Sequence, residues 1–185
     1  MPPADRLEFD DDGELAGVQI VGARHAGEGF GRTRLIDVEL VRCDLAGCDF
    51  SEAVFRNVKL TDCRCVGTEL AQATFRTVTF ASCRLDDANF RLTKLTTVQF
   101  DASVLARADF AGAQLESVTF TGCDLTGADV SNARCNDVDL RGARLDGLRG
   151  VGALHGATIG VDQLFGLAPG FASAVGVRVL ADEES

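Results

Sequence analysis

Large apolar side chains fall on every fifth residue from Phe30 to Leu145. The frame holds 24 positions: nine Phe, twelve Leu, and Cys65, Val130 and Cys135. No insertion or deletion breaks it over 116 residues. A helix repeats every 3.6 residues and a strand every two, so a period of five belongs to neither. Two residues before each large position sits a regular small one, as at Cys43, Cys48, Ala53, Cys63, Ala73, Ala88 and Ala108. The unit is small, any, large, any, any. Leu15 and Ile20 continue the frame upstream, with His25 as a lapse that suggests a strained or partly open first coil.

A longer period lies on top of the short one. Among the small positions from 18 to 143, Val occurs only at Val18, Val38, Val58, Val78, Val98, Val118 and Val138, spaced by 20. Cys43, Cys63, Cys83 and Cys123 keep the same spacing, with Ser103 filling the gap. A coil of 15 residues would not align these columns, whereas a coil of four units does. The sequence therefore predicts a four-sided all-β solenoid of about seven 20-residue coils, stacked about 4.8 Å apart like parallel strands. Small and large residues point inward, and the other three positions of each unit face solvent. Gly27, Gly47, Gly67, Gly127 and Gly147 share one corner column and predict positive φ there. Asp87 tolerates such a corner, while Arg107 fits it poorly.

Units such as "CDLAG", "ADFAG", "CDLTG" and "ADVSN" resemble the A(D/N)LXX consensus of the pentapeptide-repeat family over about residues 13–147. The resemblance implies a right-handed quadrilateral parallel β-helix. Within that family, the plan of the chain is similar to the mycobacterial fluoroquinolone-resistance protein and the Qnr proteins. Those resemble B-form DNA in size and charge and act on DNA gyrase or topoisomerase IV. In them an apolar C-terminal segment forms a homodimer. The loops that interrupt the repeats of Qnr proteins are missing from this unbroken frame, and no motif-borne functional residue carries over.

Residues 1–12 read as an acidic N-terminal tail, 13–150 as the repeat helix, and 151–185 as a Gly-rich linker, short helices and an acidic tail. In the last segment Asp162 is placed to cap a helix at about 163–167, and Pro169 to open a second ending near Gly176. Residues 177–180, "VRVL", read as extended, and a last repeat unit survives at Ala157–Ile159. An end coil exposes an open core, so Leu164, Phe165, Leu167, Phe171 and Val175 are expected to cap the rod and to form the dimer contact.

The formal net charge is −10, but its placement matters more than its size. Residues 1–14 hold six acids, and Asp182, Glu183 and Glu184 add three near the other end. Residues 15–180 carry 19 acids against 17 bases. One surface feature remains: Asp49, Glu69, Asp109 and Asp129, with Asn89 between them, stand 20 apart and predict an acidic stripe. The adjacent side is more basic, with Arg34, Arg56, Arg76, Lys94 and Arg134.

Chemistry that would need a cofactor or metal fits badly. "EFDDDGEL" lacks the terminal Glu of a calcium loop, with Gln19 in its place, and the seven cysteines contain no Cys-x-x-Cys spacing. His25 and His155 are the only histidines, and no nucleophile, base and orienting group share a recognisable spacing. The chain reads as non-enzymatic and cytoplasmic, needing no cofactor and contacting neither nucleic acid nor membrane. Two functions remain open: a DNA mimic that binds gyrase or topoisomerase IV and modulates quinolone susceptibility, and a protein–protein interaction scaffold.

Overall fold

The structure is a computed structural model and describes residues 3–4 and 6–178. The acidic residues Asp182, Glu183 and Glu184 lie outside the described residues. Ten strands form one sheet wound into a parallel solenoid of about seven coils. They are β1 (Pro3–Ala4), β2 (Glu14–Ala16), β3 (Gln19–Val21), β4 (Arg34–Val41), β5 (Val54–Thr61), β6 (Thr74–Ala81), β7 (Lys94–Asp101), β8 (Gln114–Thr121), β9 (Arg134–Asp139) and β10 (Ala157–Thr158). One helix, α1 (Val161–Ala174), follows.

The 20-residue period is the register itself: Leu35 pairs with Phe55, Val58 with Val78 and Phe80 with Phe100. Each eight-residue strand bends round a corner and covers two sides of the coil. The other two sides are joined by single bridges, such as Asp44 to Arg64 and Asp49 to Glu69. Four sides per 20 residues follow directly.

The large residues fill the axis as ladders. Phe80, Phe100 and Phe120 stack at 4.9 Å within 6° of parallel. Phe90 and Phe110 stack at 4.7 Å, and Phe100 meets Phe110 edge-on at 87°. Both arrangements suit the ring quadrupole. The small residues lie beneath the corners. The Cys63 thiol donates to the Leu40 carbonyl at 3.4 Å and Cys83 to Leu60 at 3.5 Å. Ser103 does the same to Phe80 at 3.2 Å, which is why a hydroxyl can replace a thiol in this column. Burial pushes the Cys123 thiol up to about 11 and Cys65 well above its ordinary range, so these thiols stay protonated core fillers.

Positive φ is not confined to the glycine column. All 27 positions two residues after a large position, from Gly17 to Gly147, have φ in the left-handed region. Seventeen of them are not glycine, including the β-branched Thr77 and Thr97 at 56° and 57°. Each such residue costs about 1–2 kcal/mol locally. The stacked coils hold it there, because the corner N–H is committed to the next coil: Arg42 N donates to Thr61 O and Arg107 N to Thr126 O, both at 2.9 Å.

Both ends differ from expectation. The N-terminal segment is no free tail. β1 pairs with β3, Leu7 is buried in the core, and Phe9 packs on Phe30 at 5.5 Å. His25 does not open the first coil; it is buried, with both ring nitrogens bonded. At the other end Arg149 still bridges Asp129, and β10 pairs with β9, keeping a last unit at Ala157–Thr158. A side chain on Gly156 would collide with the Cys135 carbonyl oxygen, and one on Gly170 would lie 2.7 Å from Val151.

The two expected short helices are one. Pro169 lies inside α1, although it has no N–H to give. Leu167 and Phe171, one turn apart on either side of Pro169, both pack on the rod, and a break between them would sacrifice one of those contacts. Gly160, not Asp162, is the N-cap residue. Gln163 Oε1 accepts the Gly160 N–H at 2.6 Å, while its Nε2 donates to Leu140 O and Ala143 O at 2.7 Å each, which fastens the helix to the last coil. Val177 and Arg178 lie in no strand, and residues 179–180 of the expected extended piece fall outside the described residues.

Candidate interaction surfaces

The fourth side carries the predicted stripe. Bridges run from Gly29 through Asp49, Glu69, Asn89, Asp109 and Asp129 to Arg149, so the four carboxylate residues share one column. Their first task is local. Asp49 Oδ1 accepts the Ser51 N–H at 2.8 Å and its hydroxyl at 2.6 Å. Glu69, Asp109 and Asp129 likewise accept the N–H two residues on, at 3.1, 2.8 and 2.8 Å. This is the Asx-type turn that suits a short acid before a corner. The same bond forms at Asp44, Asn89, Asp124 and Asp139, away from any stripe of acids.

Charge along the column is partly cancelled. Arg91 reaches Asp109 at 3.1 Å, Arg149 reaches Asp129 at 3.4 Å, and Asn89 donates to Glu69 at 2.9 Å. The Ser51 hydroxyl bond holds the Asp49 carboxyl below its usual range. Burial pushes Asp129 up, but the Ser131 hydrogen bonds and the Arg149 and Arg91 charges outweigh it and leave the group lowered. The sequence reading named neither Arg91 nor Arg149 as a neutraliser. Arg149 could have been found, since it continues the frame 20 residues after Asp129; Arg91 depends on the reach of a long side chain across a coil.

Arg107 now has an explanation. Its Nε and Nη2 donate to the two carboxylate oxygens of Asp87, one coil back, at 2.7 Å each. That fork bond holds Asp87 below its ordinary range and fixes the guanidinium over a corner whose backbone would not choose arginine.

The first side is basic, as predicted. Arg56 and Arg76 are direct register partners in β5 and β6. Arg34 pairs with Glu14 at 3.1 Å, whereas Arg56, Arg76, Lys94 and Arg134 make no ion pair among the described residues. A shallow cleft of about 400 Å³ lies there, lined in part by Lys94, Gln114, Glu116 and Arg134.

The C-terminal residues divide into two sets. Leu167 and Phe171 face the rod. Phe165 and Val175 are 78% and 77% exposed and Leu164 is 46% exposed, joined by Val161 at 78%, which the sequence reading did not single out. Val161 and Phe165 stand one turn apart, so α1 caps the core with one face and leaves the other apolar and uncovered.

Two family profiles match the chain, "Pentapeptide repeat region" over residues 33–110 and "Pentapeptide repeats (8 copies)" over residues 120–149. The chain belongs to the pentapeptide-repeat family. The solenoid is accordingly the right-handed quadrilateral β-helix of pentapeptide-repeat proteins. Solved relatives include HetL, a pentapeptide-repeat protein involved in heterocyst differentiation regulation in the cyanobacterium Nostoc. It is 21% identical, with 75% of this chain and 65% of that one covered and a TM-score of 0.35. QnrB1, a plasmid-mediated fluoroquinolone resistance protein, is 19% identical over 95% of both chains, with a TM-score of 0.40. A pentapeptide-repeat protein of the Arabidopsis thaliana thylakoid lumen is 22% identical over 63% of this chain and 70% of its own, with a TM-score of 0.36. No curated protein sequence matches. Among the described residues of this pentapeptide-repeat rod, no helix is long and apolar enough to cross a membrane.

Proposed function

We propose that this pentapeptide-repeat rod is a non-enzymatic protein-binding scaffold that joins a second copy of itself through the outer face of α1. The observation that carries the reading is the two-sided helix: Leu167 and Phe171 already satisfy the cap, yet Val161, Leu164, Phe165 and Val175 remain apolar and exposed. Capping alone would let those positions be polar. A second copy placed about a two-fold axis would cover them. Light scattering tests this. The full chain should show the mass of two 19.6 kDa chains, and the double variant L164D/F165D the mass of one, with the β-sheet circular dichroism intact. A single-chain mass for the unaltered protein at about 50 μM would reject the dimer, because stable interfaces hold well below that concentration.

A second reading makes the rod a DNA mimic that binds DNA gyrase or topoisomerase IV and modulates quinolone susceptibility. The in-register column of Asp49, Glu69, Asp109 and Asp129 favours it, together with the net charge of −10. Arg91 and Arg149 on the same side weigh against it. Gyrase supercoiling assayed with the rod across a salt series is the test. Inhibition that fades with salt and is lost in D49N/D129N supports the mimic, since charge-steered binding is screened. No effect at micromolar protein rejects it.

A further inference from the structure

His25 occupies a large inward position whose counterparts one coil apart are Leu45, Cys65, Leu85, Leu105, Leu125 and Leu145. It is the one polar member of that column, and it is 1% exposed. A buried imidazole in an apolar ladder needs a reason. Its Nε2 lies 3.0 Å from the Leu7 backbone nitrogen, and its Nδ1 lies 2.8 Å from Glu28 Oε2. The ring stands edge-on to Phe30 at 5.4 Å.

These bonds determine the proton. A backbone N–H can only donate, so Nε2 must present its lone pair to Leu7. Nδ1 then carries the hydrogen and donates it to Glu28. The ring is neutral, in one tautomer, and its acceptor holds the N-terminal segment in place. Leu7 is buried, Phe9 packs on Phe30, and β1 pairs with β3, so this segment is the lid over the first coil. Further along the rod, backbone carbonyls of the next coil accept the N–H at the matching corner, as Ala46 O does for Gly27 and Val66 O for Gly47. At the first coil a titratable side chain does that work.

We propose that His25 is a proton-operated latch: neutral, it holds the N-terminal lid on the rod, and protonation at Nε2 releases the lid and opens the first coil. A proton on Nε2 would turn the acceptor of the Leu7 N–H into a second donor facing it. It would also place a charge at a buried position. The lidded state therefore binds fewer protons than the open one, and its stability falls as pH falls through the imidazole range. The surrounding charges are few. Glu28 faces Nδ1 and favours the imidazolium, which moderates the response without restoring the lost Nε2 bond. Arg6 and Glu8 flank Leu7 on the lid and are exposed. From the second coil, Asp44 accepts the His25 N–H through its backbone carbonyl, and the Cys48 thiol donates to the His25 carbonyl at 2.9 Å.

The test is hydrogen exchange of the full chain at about pH 7.5 and about pH 5, each amide corrected for its intrinsic rate, with the amides of Phe80 and Phe100 as rod controls. Protection of the Leu7 amide should fall about tenfold at the lower pH while the rod amides hold, the size of one unit of differential proton affinity. H25Q, whose side-chain oxygen accepts without titrating, should keep the lid protected at both pH values. H25F, which fills the core as the repeat does elsewhere, should leave Leu7 unprotected at both while the rod amides stay protected. Imidazole nitrogen shifts at about pH 7.5 should report the Nδ1–H tautomer. An Nε2–H tautomer, a pH-independent lid in the unaltered chain, or the same pH dependence in H25Q would each overturn the latch.

Discussion

Phe100 gives the sharpest test of the core. It is fully buried and meets four other rings: Phe80 and Phe120 stacked at 4.9 Å, and Phe90 and Phe110 edge-on at 6.0 and 6.3 Å. Truncating a buried Phe to Ala costs about 3–5 kcal/mol from lost transfer energy and the cavity left behind. Each aromatic pair adds about 0.5–1.5 kcal/mol beyond area burial. Coils stack tightly above and below, so collapse around the cavity is limited, and F100A should fall at the upper end, near 5 kcal/mol. F100L places in this column the residue it already uses at Leu40, Leu60 and Leu140, and should cost under about 1.5 kcal/mol. With no Trp or Tyr in the chain, urea unfolding must be followed by far-ultraviolet circular dichroism. An unchanged midpoint in F100A, or equal losses in the two variants, would refute the ladder.

Other consequences follow from the corners and the carboxylates. Thr97 is exposed, β-branched and held at φ 57°, so T97N, which favours that region, should raise stability by about 0.5–1 kcal/mol in the same urea assay; a loss would contradict the strain. Asp49, Asp87, Asp124 and Asp129 are lowered below their ordinary range, and Asp139, bonded to Arg141, lies at about 2. A carboxylate lowered by folding contributes stability above its unfolded value of about 4, and that contribution is lost as pH falls through the folded one. The thermal midpoint should therefore drop between about pH 4 and about pH 2, and D139N should shallow that drop. A midpoint insensitive to pH in this window would count against the turn bonds.

The rod was legible because every residue votes on the same register. The Val18-to-Val138 column alone separates a 20-residue coil from a 15-residue one, and the pairing of Val58 with Val78 follows from it. The corners were less legible. Stacking forces positive φ on Arg107 and Thr97 whatever their own preference, so glycine marked only one of the four columns. The stripe was read correctly as a column but not as a charge, because the arginines that offset it act through long side chains that a frame does not reveal. The ends lack repeats to average over: Leu7, His25, Gln163 and the unbroken path of α1 through Pro169 each depend on a single tertiary contact. That is also where both functional readings of the ends reside.

Everything above depends on residues 20 apart standing one coil apart. Spin labels at D49C and D129C measure it, with the five cysteines at small positions changed to Ala, and Cys65 and Cys135 to Leu. Four coils should separate the two sites by about 19 Å, at about 4.8 Å per coil. A three-sided coil of 15 residues would place them on different sides and more than about 25 Å apart, and a distance in that range would contradict the four-sided rod.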